Sequence, residues 1–365
     1  MKVLFDYQGL IQRIGGVSRY HVELFRNFSD DIEAVMPKIL SDNVYLSQFG
    51  ISHRSIELPV DNKKKQNLYK AINILQSRMY LSANNYDLFH PTGFNPYYVG
   101  KSMKPVVLTV HDLNFFKFPN MLPKSDVVQD KMRRCINYAD HIIAISEETK
   151  DDLINILDIN EKKISIVYHG IDQDLIQSEE KPLVDAPYLL YIGGRNGYKN
   201  FTRFIKAFSV IDEDIHLVCT GMPFSHEEKE LIETLKIGNR VHQMFVSDKD
   251  LNNLLCNAMA FIYPSLGEGF GLPILEAYRC GCPCIISDLK CFREVAGNSA
   301  HYFDPKDVDS IANTIKETVS NKQCLCGLKE DGYKRMKLFT WKKTAEETEK
   351  VYHRVLGKKH ATCKD

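Results

Sequence analysis

Short apolar runs alternate with longer amphipathic stretches along the whole chain. Runs of strand length occur at Lys2–Asp6, Ile32–Pro37, Tyr86–His90, Pro105–Val110, His141–Ile145 and Ile164–Val167. Between them, Val17–Phe28, Pro123–Ala139 and Glu147–Leu157 carry apolar residues at helical spacing. Ser146 stands where an N-cap belongs, and the two glutamates after it suit the positive end of a helix dipole. The second half repeats the theme, with strands expected at Tyr188–Gly193, His216–Thr220, Val241–Val246, Phe261–Pro264, Cys284–Ser287 and His301–Phe303. Ser225 and Glu228 form a capping box that opens a helix running to about Lys236. Strands alternating with helices in this way predict two α/β domains built on parallel sheets. The polar stretch Gln173–Pro187, with its two prolines, is the expected linker, dividing the chain into 1–172 and 173–340. Beyond it, Trp341, Ala345, Thr348, Tyr352 and Val355 recur at four-three spacing. They predict a last helix, 341–357, whose stripe packs back on the first domain.

Composition narrows the function. Lys+Arg and Asp+Glu both number 47, so there is no basic excess of the kind a nucleic-acid partner demands. No apolar run approaches the roughly 18–20 residues that span a bilayer. The start, MKVLFDYQGLI, reads as a strand with an acid in it and lacks a secretory cleavage pattern, so a cytoplasmic protein is expected. Ten cysteines are scattered over 365 residues. Cys280, Cys282 and Cys284 form C-x-C-x-C, which fits no common zinc spacing; small apolar core residues are expected instead.

The stretch most loaded with chemistry is Phe261–Ala277, FIYPSLGEGFGLPILEA. A strand ends at Pro264 and a glycine-rich loop follows, with Pro273 suited to the first helical position. Gly269 and Gly271 let the backbone approach a ligand, and the helix start offers amides and a positive dipole end to an anion. Glu276, expected in the first helical turn, can reach ligand hydroxyls, and Glu268 lies in the loop. Taken alone, the segment also reads as a tight strand–loop–helix connection with two solvated glutamates. The glycines do not form G-x-G-x-x-G, which weakens a nicotinamide-dehydrogenase reading.

Glu268 and Glu276 resemble the E-x₇-E signature of retaining glycosyltransferases, and SLGEGFGLPILEA is similar to glycosyltransferase family 4. The resemblance extends to Gly15–Tyr20 (GGVSRY), Val107–Asp112 (VLTVHD), Ala144–Glu147 (AISE), Val167–Asp172 (VYHGID) and Leu190–Asn200 (LYIGGRNGYKN), in the family's order. It implies an α/β protein of GT-B fold, two Rossmann-like domains with parallel sheets facing across a cleft. The first domain would bind the acceptor and the second the nucleotide sugar. Glu276 would hold the donor ribose and Glu268 the donor sugar. Backbone amides of Phe270, Gly271 and Leu272 would hold the sugar and diphosphate. Arg195 and Lys199 would bind the diphosphate, His111 would sit by the transferred sugar, and Gly16 and Gly194 would allow the loops close to the phosphates. One departure stands out: Gly194 intervenes before Arg195, which then precedes Lys199 by four residues where many relatives have five.

The chemistry agrees with these roles. Breaking a glycosyl–phosphate bond releases a nucleoside diphosphate, whose growing charge two cations and a helix N-terminus can neutralise. No D-x-D stands out at a strand end; Asp212–Asp214 and Asp248–Asp250 read as surface turns. No metal and no cofactor are therefore expected, the nucleotide sugar being a substrate. His111 alone could simply cap a turn. In the mechanism the resemblance implies, it positions the sugar, and a donor phosphate oxygen takes the acceptor's proton. On the acceptor side, residues 62–81 interleave Lys63, Lys64, Lys65, Lys70 and Arg78 with Leu68, Ile72, Ile74, Leu75 and Met79. This is either a solvated face or a peripheral contact with an anionic membrane carrying a lipid-linked acceptor. Arg13, Phe94, Asn95 and Phe115–Phe118 are further acceptor candidates. The expected activity is transfer of a hexosyl unit, mannosyl among the candidates, in polysaccharide or lipopolysaccharide assembly. A nucleotide-sugar epimerase of the same fold would turn over donor without acceptor. A non-catalytic nucleotide- or carbohydrate-binding module would have lost Lys199, Glu268 or Glu276.

Overall fold

The computed structural model describes residues 1–48, 50, 51, 62–178 and 180–362. The chain divides into two compact units, one of 1–119, 123–170 and 341–365, the other of 120–122 and 171–340.

Among the described residues the first unit holds six parallel strands: β1 (Lys2–Phe5), β2 (Glu33–Val35), β3 (Leu88–His90), β4 (Val107–Val110), β5 (His141–Ala144) and β6 (Ile164–Ile166). They form two three-stranded sheets, β2-β1-β3 and β4-β5-β6, joined by a parallel bridge between Phe89 and Val106. β1, β3, β4 and β5 are buried on both faces, which is why they read as continuous apolar runs rather than alternating ones, whereas the edge strand β2 is largely exposed. Leu4, Phe89, Leu108 and Ile142 enter one core. Val3, Phe5, Leu88, Val107 and Ile143 enter the other, which Val351, Tyr352 and Val355 of the helix Trp341–Thr362 complete. That helix runs beside Gly16–Asn27, and Thr344 Oγ1 donates to the Tyr168 carbonyl.

The second unit is one six-stranded parallel sheet: β7 (Tyr188–Tyr191), β8 (His216–Thr220), β9 (Val241–Met244), β10 (Ala260–Tyr263), β11 (Cys284–Ser287) and β12 (Ala300–Phe303). Its order is β12-β11-β10-β7-β8-β9. The chain therefore winds outward in both directions from the β7–β10 pair. In such sheets ligands bind at the carboxyl ends of the strands where the order reverses.

All twelve expected strands are present, most a residue or two shorter. The Ser225–Glu228 capping box opens His226–Thr234, and Ser146 caps Glu147–Leu157. The Asp248–Asp250 segment is not a surface turn. Ser247 and Asp250 form a second capping box that opens the helix Asp248–Asn257, with Asp248 and Asp250 in the first turn where the dipole favours them. Cys280, Cys282 and Cys284 are buried thiols, and burial pushes that of Cys282 up to about 12. Among the described residues no helix is long and apolar enough to cross a membrane.

Candidate functional site

The loops after β7 and β10 meet at the reversal point of the second sheet. β7 stops at Tyr191, two residues earlier than expected, because Gly193 takes φ +95°, a left-handed conformation that ends an extended run. Past a short turn at Gly197–Lys199, Asn200 also adopts a left-handed conformation. Its buried side-chain amide donates to the carbonyls of Pro264 (2.9 Å) and Pro305 (2.7 Å). Leu266 N–H donates to the Tyr198 carbonyl at 2.7 Å. The turn that carries Lys199 is thus fastened to the end of β10.

This fastening brings Lys199 and Glu268 together, with Nζ 2.6 Å from Oε1. Ser265 Oγ donates to the same carboxylate oxygen at 2.6 Å. The ammonium also lies 5.2 Å and 5.6 Å from the ring centroids of Tyr198 and Tyr263. Asn200, Tyr263 and Ser265 were not singled out in the sequence. The hydroxyl three residues before Glu268 was the only available signal.

Gly271 caps the helix Leu272–Arg279 at φ +111°, and a Cβ there would stand 3.0 Å from Ile274 and 3.1 Å from the Phe292 ring. Any side chain would be strained twice over. The helix starts one residue before Pro273, so Glu276 is its fifth residue and opens the second turn rather than lying in the first. Glu276 is partly exposed, and Phe270 is buried against Phe339, ring centroids 5.8 Å apart. The Gly194 carbonyl accepts from Tyr191 Oη at 2.8 Å.

Arg195 does not join the Lys199–Glu268 pair. Its Nε meets Glu228 at 3.0 Å, and Nη2 donates to the Met222 and Pro223 carbonyls. Phe224 lies 4.8 Å from the guanidinium. Only Nη1 is left over, buried and without a hydrogen-bond partner.

In the first unit, Gly16 opens the helix Gly16–Asn27 with Gly15 as its N-cap. The loop ahead of it starts from Asp6, buried just after β1, whose Oδ2 accepts from Gln8 Nε2 at 2.7 Å. Asp6 Oδ1 accepts from Thr92 N–H (2.9 Å) and Thr92 Oγ1 (2.6 Å), and Tyr97 Oη donates to Oδ2 at 3.0 Å. Burial raises the pKa of Asp6 above the usual carboxylate value, against the pull of these hydrogen bonds.

His111 follows β4 directly and sits among three more histidines. Its ring stacks on His169, centroids 5.4 Å apart and planes 13° from parallel. Tyr20 meets it edge-on at 5.2 Å, and His21 at 6.3 Å. His90 shares hydrogen bonds with Tyr352 Oη (2.6 Å) and Thr109 Oγ1 (2.9 Å), and Tyr20 Oη shares one with Thr109 (3.0 Å). Loss of hydration lowers all four imidazoles, His111 to about 4 and His90 to about 3, so each is neutral at neutral pH. The sequence showed His111 and the motif containing His169, but His21 and His90 lie in unremarkable helix and strand patterns.

Residues 14–175 match the family model for Glycosyltransferase Family 4, and residues 172–335 match that for glycosyl transferases group 1. The chain is 30% identical to the O-antigen chain mannosyltransferase RfbU of Salmonella typhimurium, over 57% of this chain and 59% of that protein. It is 24% identical to the O-antigen chain mannosyltransferase B of Escherichia coli over 96% of this chain and 99% of that protein. Among solved structures, Anabaena Alr3699/HepE in complex with UDP and glucose superposes with a TM-score of 0.75 at 16% identity, covering 96% and 99% of the two chains.

Proposed function

Because this chain belongs to the family 4, group 1 glycosyltransferases and has their GT-B fold, we propose that it transfers a mannosyl unit from a nucleotide sugar to a saccharide acceptor of a cell-surface polysaccharide. The names of its two O-antigen relatives support the sugar and the pathway. The observation that carries the chemistry is the Lys199–Glu268 pair at the reversal point of the second sheet. A carboxylate that hydrogen-bonds sugar hydroxyls and an ammonium that meets the leaving diphosphate stand in contact there. The start of the helix Leu272–Arg279 adds donors for the same phosphates.

The reaction retains anomeric configuration and needs no metal. The acceptor hydroxyl attacks from the face the diphosphate leaves, and its proton passes to a departing phosphate oxygen. Lys199 stabilises the charge that builds there. His111, neutral and just beyond β4, hydrogen-bonds the transferred sugar. Glu276 takes the donor ribose. In this reading 173–340 binds donor and 1–172 binds acceptor.

A melting-temperature screen against UDP, GDP and ADP, with and without EDTA, tests the donor site. One nucleotide should raise the melting temperature with EDTA present, and Glu276→Ala should weaken its binding about 10- to 100-fold, as loss of hydrogen bonds to a charged group does. A shift that vanishes with EDTA defeats the metal-free reading, and unchanged affinity in the variant defeats the ribose assignment.

A lipid-linked form of that acceptor would bring the protein to a membrane, and we propose that it then rests on anionic lipid through the helix Asn62–Ala83. Lys64, Leu68, Leu75, Arg78 and Met79 share one exposed face of it, Leu75 at 60% and Met79 at 70% exposure. The side chain of Lys63 lies outside the described residues. Co-sedimentation with phosphatidylglycerol vesicles at low salt, but not with phosphatidylcholine vesicles, is the expected result. Leu75→Glu combined with Met79→Glu should abolish it, and equal binding to both lipids would exclude this contact.

A further inference from the structure

We propose that His169 is the positioning residue of His111, a second imidazole that fixes the plane of the first and covers one of its faces. The inference rests on the reading that His111 meets the transferred sugar. Among the described residues no hydrogen bond holds either nitrogen of His111, so its plane is set by ring contacts. His169 supplies the broad one, the near-parallel stack at 5.4 Å. Tyr20 abuts both rings edge-on, at 5.2 Å and 4.8 Å, and locks their mutual angle. Behind His169 stands Trp341, 6.0 Å away.

This frame is anchored by four elements. Tyr20 is tied through Thr109 and His90 to Tyr352, so the first helix, β3, β4 and the helix Trp341–Thr362 all hold it. An imidazole that hydrogen-bonds a sugar hydroxyl needs a fixed plane and a constant protonation state. Aromatic packing against His169 gives the first, and the partial loss of hydration that lowers the His111 pKa favours the second. The titratable groups around His111 are Tyr20 and His21 on the helix Gly16–Asn27, His169 after β6 and, by electrostatic interaction, His90 on β3, with Asp112 next in the chain. None of the histidines gains by charging, since a cation at His111 opposes one at His169 or His21.

The test separates the ring from its nitrogens. His169→Phe keeps the stacked surface, whereas His169→Gln keeps polarity and loses it. Transfer to methyl α-mannoside from whichever of UDP-, GDP- or ADP-mannose the wild-type protein turns over is followed across pH, alongside ¹⁵N-imidazole NMR of the full chain titrated from pH 4 to 8. His169→Phe should keep kcat within about 3-fold of wild type, and His169→Gln should lower it about 10- to 100-fold with the donor KM unchanged. In His169→Gln the His111 resonance should also titrate at least one pH unit higher, and the acid limb of kcat should move with it. If His169→Gln leaves kcat and the His111 titration as they were while His111→Ala is inactive, the positioning role is overturned and the site reading stands. If His111→Ala itself turns over like wild type, the site reading falls, whatever His169 does.

Discussion

Lys199→Ala lowers kcat about 30- to 1,000-fold, the equivalent of ~2–4 kcal/mol of transition-state stabilisation, and changes donor KM far less. The asymmetry follows from geometry. In the folded protein the Lys199 ammonium already has a carboxylate partner 2.6 Å away and two tyrosine rings about it. Donor binding therefore exchanges one anion for another and gains little. The diphosphate acquires extra negative charge only as the glycosyl bond breaks, so the benefit falls on the transition state. The variant also leaves Glu268 with Ser265 but without its cation, which repels the phosphates and adds to the loss. Steady-state kinetics at matched folded fraction check this. A variant turning over at the wild-type rate would remove Lys199 from the chemistry.

Acid destabilises the first unit well before its carboxylates are exhausted. His21, His90, His111 and His169 all have pKa values lowered by burial, whereas in the unfolded chain each titrates near 6.5. Between those limits the unfolded state binds more protons, so stability falls as pH falls. From neutrality to pH 5 the loss is about 2 kcal/mol for each ring that stays neutral in the fold. The protection is complete above about pH 6.5 and disappears on the acid side. Urea midpoints measured from pH 7.5 to 5 should drop steadily, and His21→Phe should flatten the slope by about one proton. A midpoint constant over that range would mean that the rings charge freely in the folded protein.

The strands and the glycine loop were legible because each rests on a local rule. Apolar runs buried on both faces stand out by length, and Gly271 announces a position where only glycine fits. Capping boxes are local too, yet the one at Ser247–Asp250 was missed because its third helical residue is an aspartate rather than the more familiar glutamate. What remained hidden is long-range. Asn200 joins two carbonyls far along the chain, and Arg195 finds Glu228, 33 residues away. Spacing signalled that Arg195 departs from its relatives but could not say where it turns. The histidine cluster draws on four separate segments, so no window of sequence contains it.

The helix Trp341–Thr362 follows the second unit in the chain but completes the core of the first. Synthesis is vectorial, so the two units do not mature in the order in which they begin. The second unit's sheet is contiguous and can close as soon as its last strand leaves the ribosome. The first must wait, its apolar face uncovered, until Val351, Tyr352 and Val355 arrive. The half of the protein made first is therefore the last to become native, and for the interval between it depends on whatever shields exposed apolar surface in the cell.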